Sequence, residues 1–461
     1  MMKFKYFFMA LLGIALVNFA IIRYGSFDAD SIVEKSIFKE KAFSGKVEEV
    51  SAFGGKVNAY LMQEHSLPIV ALSFGFDKSG ASYEPKNGVT LLLESTILDG
   101  AGRFSRHEIR DFMKEHGIKL GINIDNDRAS FSLSFIKNKQ KEALEVLKAV
   151  LYEPKFGKEE LDVVREQLKV SRVQRLESPQ YLLSKLVRES FYGAHPYGKD
   201  SLATEEELEK LSKADLLDYM RSFWGKNNLT IGISGDISND EAVLLIEEVF
   251  ANLDDEVVLN DLPKFEPDFN YKKEVVDSET SAQSFATIMA KGIKRLDEDF
   301  YPLYLANHIF GGSGLSSKLN NAVREENGLT YGIYSYFTLS DAGEFWNIGF
   351  SATPDNVDKV YELTAKTYAD FYNNGVTAEE LKLAKDSMLS SFNLRFSSLF
   401  DIASQLEAMQ VEGLGIDFLA NRQNLVRAVS LDDVNNAIKK HMPKELLSGG
   451  NIRVFEISGK K

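Results

Sequence analysis

From about residue 46 the chain alternates short stretches of period-two hydrophobicity with longer amphipathic runs of helical period. Stretches 46–53 and 56–62 flank Gly54-Gly55 and read as a hairpin. Residues 69–76 form a third strand, with apolar side chains on alternate positions. Asn87 is placed to cap a helix that starts at Gly88. A second helix, 105–116, is stopped by Gly117, and 120–124 pairs with 129–136 across the polar turn 125–128. Helices 140–151, 158–175 and 180–191 follow, then a strand at 229–234 and a helix at 240–250.

The same order then recurs. Segment 254–271 is acidic, contains Pro263 and Pro267, and reads as a linker. Beyond it come a strand at 284–289, a helix at 300–310 and a strand pair at 332–338 and 344–351. Helices 354–373, 378–396, 399–411, 416–426 and 431–441 precede a terminal strand at 451–457. Order repeats while identity does not. Strands grouped before helices predict an α+β protein of two homologous lobes, each a mainly antiparallel sheet with helices packed on one face. The division is 46–253 for the first lobe, 254–271 for the linker and 272–461 for the second lobe.

The first thirty residues differ in kind. Lys3 and Lys5 precede an apolar run, 7–22, broken only by Asn18 and followed by Arg23. This is the pattern of a secretory signal. Asn18 sits three residues before a cleavage after Ala20, so an uncleaved membrane anchor is the alternative, although the run is short for a span. Either reading exports the body of the chain, to a bacterial periplasm or the periplasmic face of the inner membrane. The full length of 461 residues, 44% of them hydrophobic, suffices for two or three domains. A formal charge of -14 argues against a nucleic-acid scaffold. With no cysteine, disulfides, thiol nucleophiles and zinc-thiolate sites are excluded.

Chemistry concentrates in two places. The first is Gly88-Val-Thr-Leu-Leu-Leu-Glu-Ser-Thr-Ile-Leu98. It resembles the active-site helix of the pitrilysin/insulinase-type (inverzincin) metallopeptidases, whose motif is His-x-x-Glu-His. Positions i, i+3 and i+4 share one helical face, so two histidines can hold zinc while the glutamate deprotonates the zinc water. Here the matching residues are Leu91, Glu94 and Ser95. The general-base position is kept and both histidines are lost. The resemblance places a third ligand, with a supporting glutamate seven residues earlier, on helix 158–175. One register sets Glu160 and Gln167 there; a slip of one residue sets Glu159 and Glu166. The first keeps Val163, Val164 and Leu168 on the family's apolar positions. Leu91 offers no ligand atom, Ser95 a poor one and Gln167 a neutral one, whereas a catalytic zinc needs three protein ligands. Without the metal, Glu94 faces a water of pKa about 15.7 rather than about 7, a deficit of roughly 12 kcal/mol.

The second place is Arg324-Glu-Glu-Asn-Gly-Leu-Thr-Tyr331, preceded by Phe310-Gly-Gly-Ser-Gly-Leu-Ser-Ser317. It resembles the family's substrate-binding arginine and tyrosine, which are seven residues apart. Guanidinium and hydroxyl can both grip a peptide carbonyl and stabilise developing negative charge. A helix end at Gly328 and an edge strand would account for Gly328 and Tyr331 but not for Arg324. His195-Pro-Tyr-Gly198 and segments 233–237 and 375–381 also match the family in order. His65, His107, His116, His308 and His441 are scattered and rebuild no site. The resemblance implies a chain that binds no cofactor and cleaves nothing alone. It would be the substrate-binding subunit of an exported heterodimeric zinc metalloendopeptidase, with zinc on a homologous partner subunit. The alternatives are a peptidase-derived scaffold or peptide-binding protein, and a homodimer that binds without cutting. The segments around Glu94 and Tyr331 are expected to line one concave space.

Overall fold

A computed structural model describes residues 45–392, 396–447 and 451–460. The expected signal or anchor, 1–30, lies outside these residues.

Six strands build the first sheet: β1 (Glu48–Ala52), β2 (Val57–Gln63), β3 (Ile69–Asp77), β4 (Lys119–Ile124), β5 (Arg128–Ile136) and β6 (Leu229–Gly235). Their order is β1-β2-β6-β3-β5-β4, antiparallel except for the β2–β6 pair. A further short hairpin pairs Gly100–Ala101 with Phe104–Ser105. Five strands build the second sheet: β7 (Lys272–Asp277), β8 (Ser284–Lys291), β9 (Thr330–Ser340), β10 (Gly343–Ala352) and β11 (Ile452–Ser458). Read from β7, the order is β7-β11-β8-β10-β9, and only β7–β11 is parallel. It repeats β2-β6-β3-β5-β4 strand for strand, and β1 has no counterpart. The two halves are therefore one topology used twice, as the recurring order of elements predicts.

The first half contributes helices α1 (Val89–Thr96), α2 (Arg106–His116), α3 (Gln140–Tyr152), α4 (Lys158–Leu176), α5 (Pro179–Val187), α6 (Glu205–Lys210), α7 (Lys213–Phe223) and α8 (Asn239–Phe250). The second contributes α9 (Phe300–Asn307), α10 (Val357–Asn374), α11 (Ala378–Phe392), α12 (Leu399–Val411), α13 (Phe418–Ala428) and α14 (Leu431–His441). Period-two burial on β5 sends Ala129, Phe131, Leu133 and Phe135 into the first core. There Phe131 stacks on Phe74 at 4.9 Å and Phe76 on Trp224 at 5.3 Å. Trp346, Ile348, Tyr368 and Phe371 hold the second core.

Each sheet's other face receives one helix from the opposite half, a feature absent from the sequence reading. Helix α12 packs on β3 and β6, and α5 packs on β8 and β11. The first contact needs small residues. A Cβ on Gly232 would fall 2.0 Å from the Ala403 carbonyl oxygen, so only glycine admits the helix at that distance. Polar groups are matched across it. Gln410 accepts from the Ile231 N–H at 3.3 Å and donates to the Ile231 carbonyl. Glu407, 5% exposed, accepts from Ser73 and, at 2.8 Å, from Arg128.

Segment 254–271 has no long regular element, yet it is pinned along its length. Asp255 pairs with Lys226 at 2.8 Å and Lys56 at 2.5 Å. Phe265 and Phe269 pack around Phe191 together with Phe345 and Phe455 of the second sheet. The term linker describes its place in the chain and not its freedom.

Candidate functional site

Helix α1 is set by its first turn. Asn87 does not cap it; the buried Glu84 carboxylate does, accepting from the N–H of Gly88 and Thr90 at 2.9 Å and from the Thr90 hydroxyl at 2.8 Å. A carboxylate there meets free N–H groups and the positive end of the helix dipole. Gly88 has φ +90° and lies against Ala203, where a Cβ would come within 2.8 Å. Val89, Leu92, Leu93 and Thr96 enter the core, which turns Leu91, Glu94 and Ser95 to the other side of the helix.

That face does not fit zinc. Leu91 packs against the core edge, and the exposed Ser95 hydroxyl donates back to the Leu91 carbonyl at 2.8 Å. Glu94 is half-buried, and burial pushes its carboxyl above the ordinary range. The Ile124 N–H, at the end of edge strand β4, pulls it down, and Asp125 pushes it up. Helix α4 packs beside α1 on Leu161 and Val164. Glu160 is partly buried, whereas Glu159, Glu166 and Gln167 are exposed and line one open depression with Val163. Val164 and Leu168 keep the apolar positions expected of them, but Val163 is 41% exposed. Glu166 is held by Lys169 at 3.0 Å.

Next to Glu94 the two pseudo-equivalent hairpin tips meet. Tyr83 donates to Asp341 at 2.5 Å, and Tyr197, from the His195-Pro-Tyr-Gly198 turn, donates to Asp127. Burial raises the Asp127 carboxyl to about 6, with Asp341 and Asp125 adding to the shift. These tyrosine–aspartate contacts went unnoticed in the sequence, where tyrosines 83 and 197 carry no signal that they face aspartates.

Arg324 lies on a wide helical turn, Asn321–Glu325, which Gly328 ends with φ +62° and an N–H bond to the Arg324 carbonyl at 2.8 Å. Its side chain is 34% exposed, and its Nε stands 3.6 Å from Glu325. Tyr331 opens edge strand β9 at an irregularity between Thr330 and Ile333, and is 80% exposed. The far end of β9, Ser340, is at the hairpin junction. Nine steps of about 3.3 Å put Tyr331 roughly 30 Å from that junction. Glu94 lies beside the junction, so Tyr331 stands at the opposite end of β9 from it.

The histidines among the described residues form no zinc set around Glu94. Among the described residues, one group of carboxylates and histidine comes close enough to share an ion: Asp297, Asp299 and His441, in the second half. Asp299 already binds Lys440 at 2.6 Å and His441 at 2.8 Å.

A repeated lobe of this topology, with α1 and α4 side by side at a displaced His-x-x-Glu-His position, defines the class as a peptidase-type fold. Residues 68–205 match the Insulinase (Peptidase family M16) domain, and residues 210–388 match the Peptidase M16 inactive domain. The chain belongs to peptidase family M16. It is 24% identical over 389 residues to the "Non-peptidase homolog YmxG" of Helicobacter pylori, covering 84% of this chain and 89% of that one. It is 26% identical over 361 residues to the "Uncharacterized zinc protease YmxG" of Bacillus subtilis, covering 77% and 85%. The crystal structure of a peptidase M16 inactive domain from Pseudomonas fluorescens has the same fold. That match has a TM-score of 0.82 at 24% identity and covers 90% of this chain and 98% of that one.

Proposed function

We propose that this chain is the non-catalytic, substrate-binding subunit of an exported heterodimeric zinc metalloendopeptidase. One observation carries the reading. The chain keeps Glu94 without a ligand set around it, yet presents Arg324 and Tyr331 outward, roughly 30 Å from the junction beside Glu94. An exposed pair at the other end of the strand is placed to complete a site on another chain. The zinc would be held by that homologous partner, whose His-x-x-Glu-His helix would supply the activated water. This chain's part is to hold the peptide carbonyl through the Arg324 guanidinium and to donate the Tyr331 hydroxyl to the oxygen on which charge develops. No step runs through a metal here, because Leu91 and the self-bonded Ser95 leave none a seat.

A relative named as a non-peptidase homolog favours a second reading, a peptide-binding or scaffold protein with no peptidase partner. Affinity purification from the periplasmic and membrane fractions separates the two. The proposal expects a co-purifying chain of the same family with an intact zinc motif and about one zinc per pair. Recovery of this chain alone, or with unrelated proteins and no zinc, would leave the scaffold reading.

A further inference from the structure

The repeated topology produces two matching grooves, each between a crossing helix and the part of the opposite sheet that the helix leaves uncovered. In the first lobe the groove lies between α12 and strands β3, β5 and β4, with a volume of about 320 Å³. In the second it lies between α5 and strands β8, β10 and β9, with a volume of about 530 Å³. The helices line them at the same stride: Phe400, Ser404, Glu407 and Ala408 in one, Gln180, Ser184, Val187 and Arg188 in the other.

Their charges are treated differently. In the first groove the helix offers a carboxylate and the sheet side answers with a cation, since Glu407 accepts from Arg128 at 2.8 Å. In the second the helix end offers Arg188, and the sheet answers with Thr287, Met289, Tyr336 and Asn347, none of them acidic. Arg188 Nη1 donates to Ser184 Oγ at 2.7 Å, while Nε and Nη2 are buried without an acceptor. The guanidinium leans toward the Tyr181 ring at 5.3 Å. Asp125 and Asp127 stand at the junction end of the groove but are otherwise engaged. Asp125 accepts from the N–H of Asp127 and Arg128 at 2.8 and 2.9 Å, and Asp127 accepts from Tyr197. A partly exposed guanidinium with two buried, idle donors, beside an apolar wall of Leu183, Val187 and Met289, lacks the anion that its counterpart groove finds within the chain.

We propose that the groove between α5 and the second sheet binds a free carboxylate next to an apolar side chain, the C-terminal residue of a peptide or a free amino acid, with Arg188 taking the carboxylate. Arg188 turns from the Tyr181 ring to form a two-pronged contact, and the apolar side chain lies on Val187 and Met289. Neither Arg324 nor Tyr331 lines this groove, so the site can be tested without any peptidase partner.

Calorimetric titration of the full chain tests it with three probes: N-acetyl-Ala-Ala-Leu, the same peptide as its C-terminal amide, and free leucine. The acid peptide is expected to bind at least 10-fold more tightly than the amide, and Arg188→Gln to abolish that difference. Thr338→Glu places a carboxylate at an exposed groove position and still offers an acceptor to Asn347, whose amide donates to Thr338 at 3.0 Å. It is expected to weaken the acid peptide at least 10-fold with the thermal midpoint unchanged, and it decides alone if Arg188→Gln does not fold. Leucine binding as well as the peptide would assign the site to free amino acids; peptide binding alone would assign it to a chain end. No binding of any probe, equal binding of acid and amide, or full discrimination in a folded variant would overturn the proposal.

Discussion

At the scale of single residues, Leu91 and Ser95 decide what the chain cannot do. They stand where the family motif has histidines, a loss visible in the sequence, and the structure adds that Ser95 spends its hydroxyl on the Leu91 carbonyl. The native chain is therefore expected to carry far less than one zinc by elemental analysis. The variant Leu91→His, Ser95→His, Gln167→Glu is expected to approach one zinc per chain if Gln167 occupies the third-ligand position. Zinc taken up equally by the two histidine substitutions alone would instead assign that position to Glu166. A second residue, Asp127, was not legible as special, because its burial depends on a hairpin tip from the other half. With its carboxyl raised to about 6, the native state prefers the protonated form. The stability this confers is complete below the ordinary carboxylate pKa of about 4 and is lost as pH rises through about 6. Between pH 4 and 7 the melting temperature of the native chain should fall relative to that of Asp127→Asn. Parallel curves would show that the group does not titrate differently on folding.

At the scale of elements, most strands and helices were legible because each has one buried face and therefore one clear period. The strand pairs at 120–124 and 129–136 and the helix 431–441 match β4, β5 and α14 to within a residue or two. The cap of α1 is not Asn87, because Glu84 caps it from outside the helix, beyond the reach of a local rule. The crossing of α12 was not legible at all. Ser73, Gly75 and Gly232 look like weak strand residues until a helix from far along the chain is laid over them, with Glu407 aligned to Ser73. This contact gives a sharp expectation. Gly232→Ala pushes a Cβ to 2.0 Å from the Ala403 oxygen and 2.6 Å from the Glu407 nitrogen. Overpacking of this kind costs about 1–3 kcal/mol, to be read from urea denaturation. Gly349→Ala is the control, since its Cβ meets only a Tyr336 ring carbon at 4.0 Å. Equal stability of the two variants would mean that α12 yields easily and does not tie the lobes together.

At the scale of the whole molecule, one topology used twice has diverged in opposite directions. The first half keeps the helix pair with Leu91 and Ser95 at the histidine positions, while the second carries the exposed Arg324 and Tyr331. The family and the two-lobed plan were readable from ordered motifs over most of the chain, because each motif is local. The separation of Glu94 from Tyr331 was not, because it follows from β9 running away from the junction for nine residues. On the proposed reading, Tyr331 serves a site on another chain. The most direct measurement is the turnover of the purified complex, with its zinc-bearing subunit, carrying Tyr331→Phe in this chain. The expected result is a loss of about 10²–10³ in kcat with little change in KM, the size of one missing oxyanion donor. Unchanged kcat, with Arg324→Ala equally silent, would contradict a substrate-gripping role and leave this chain a scaffold.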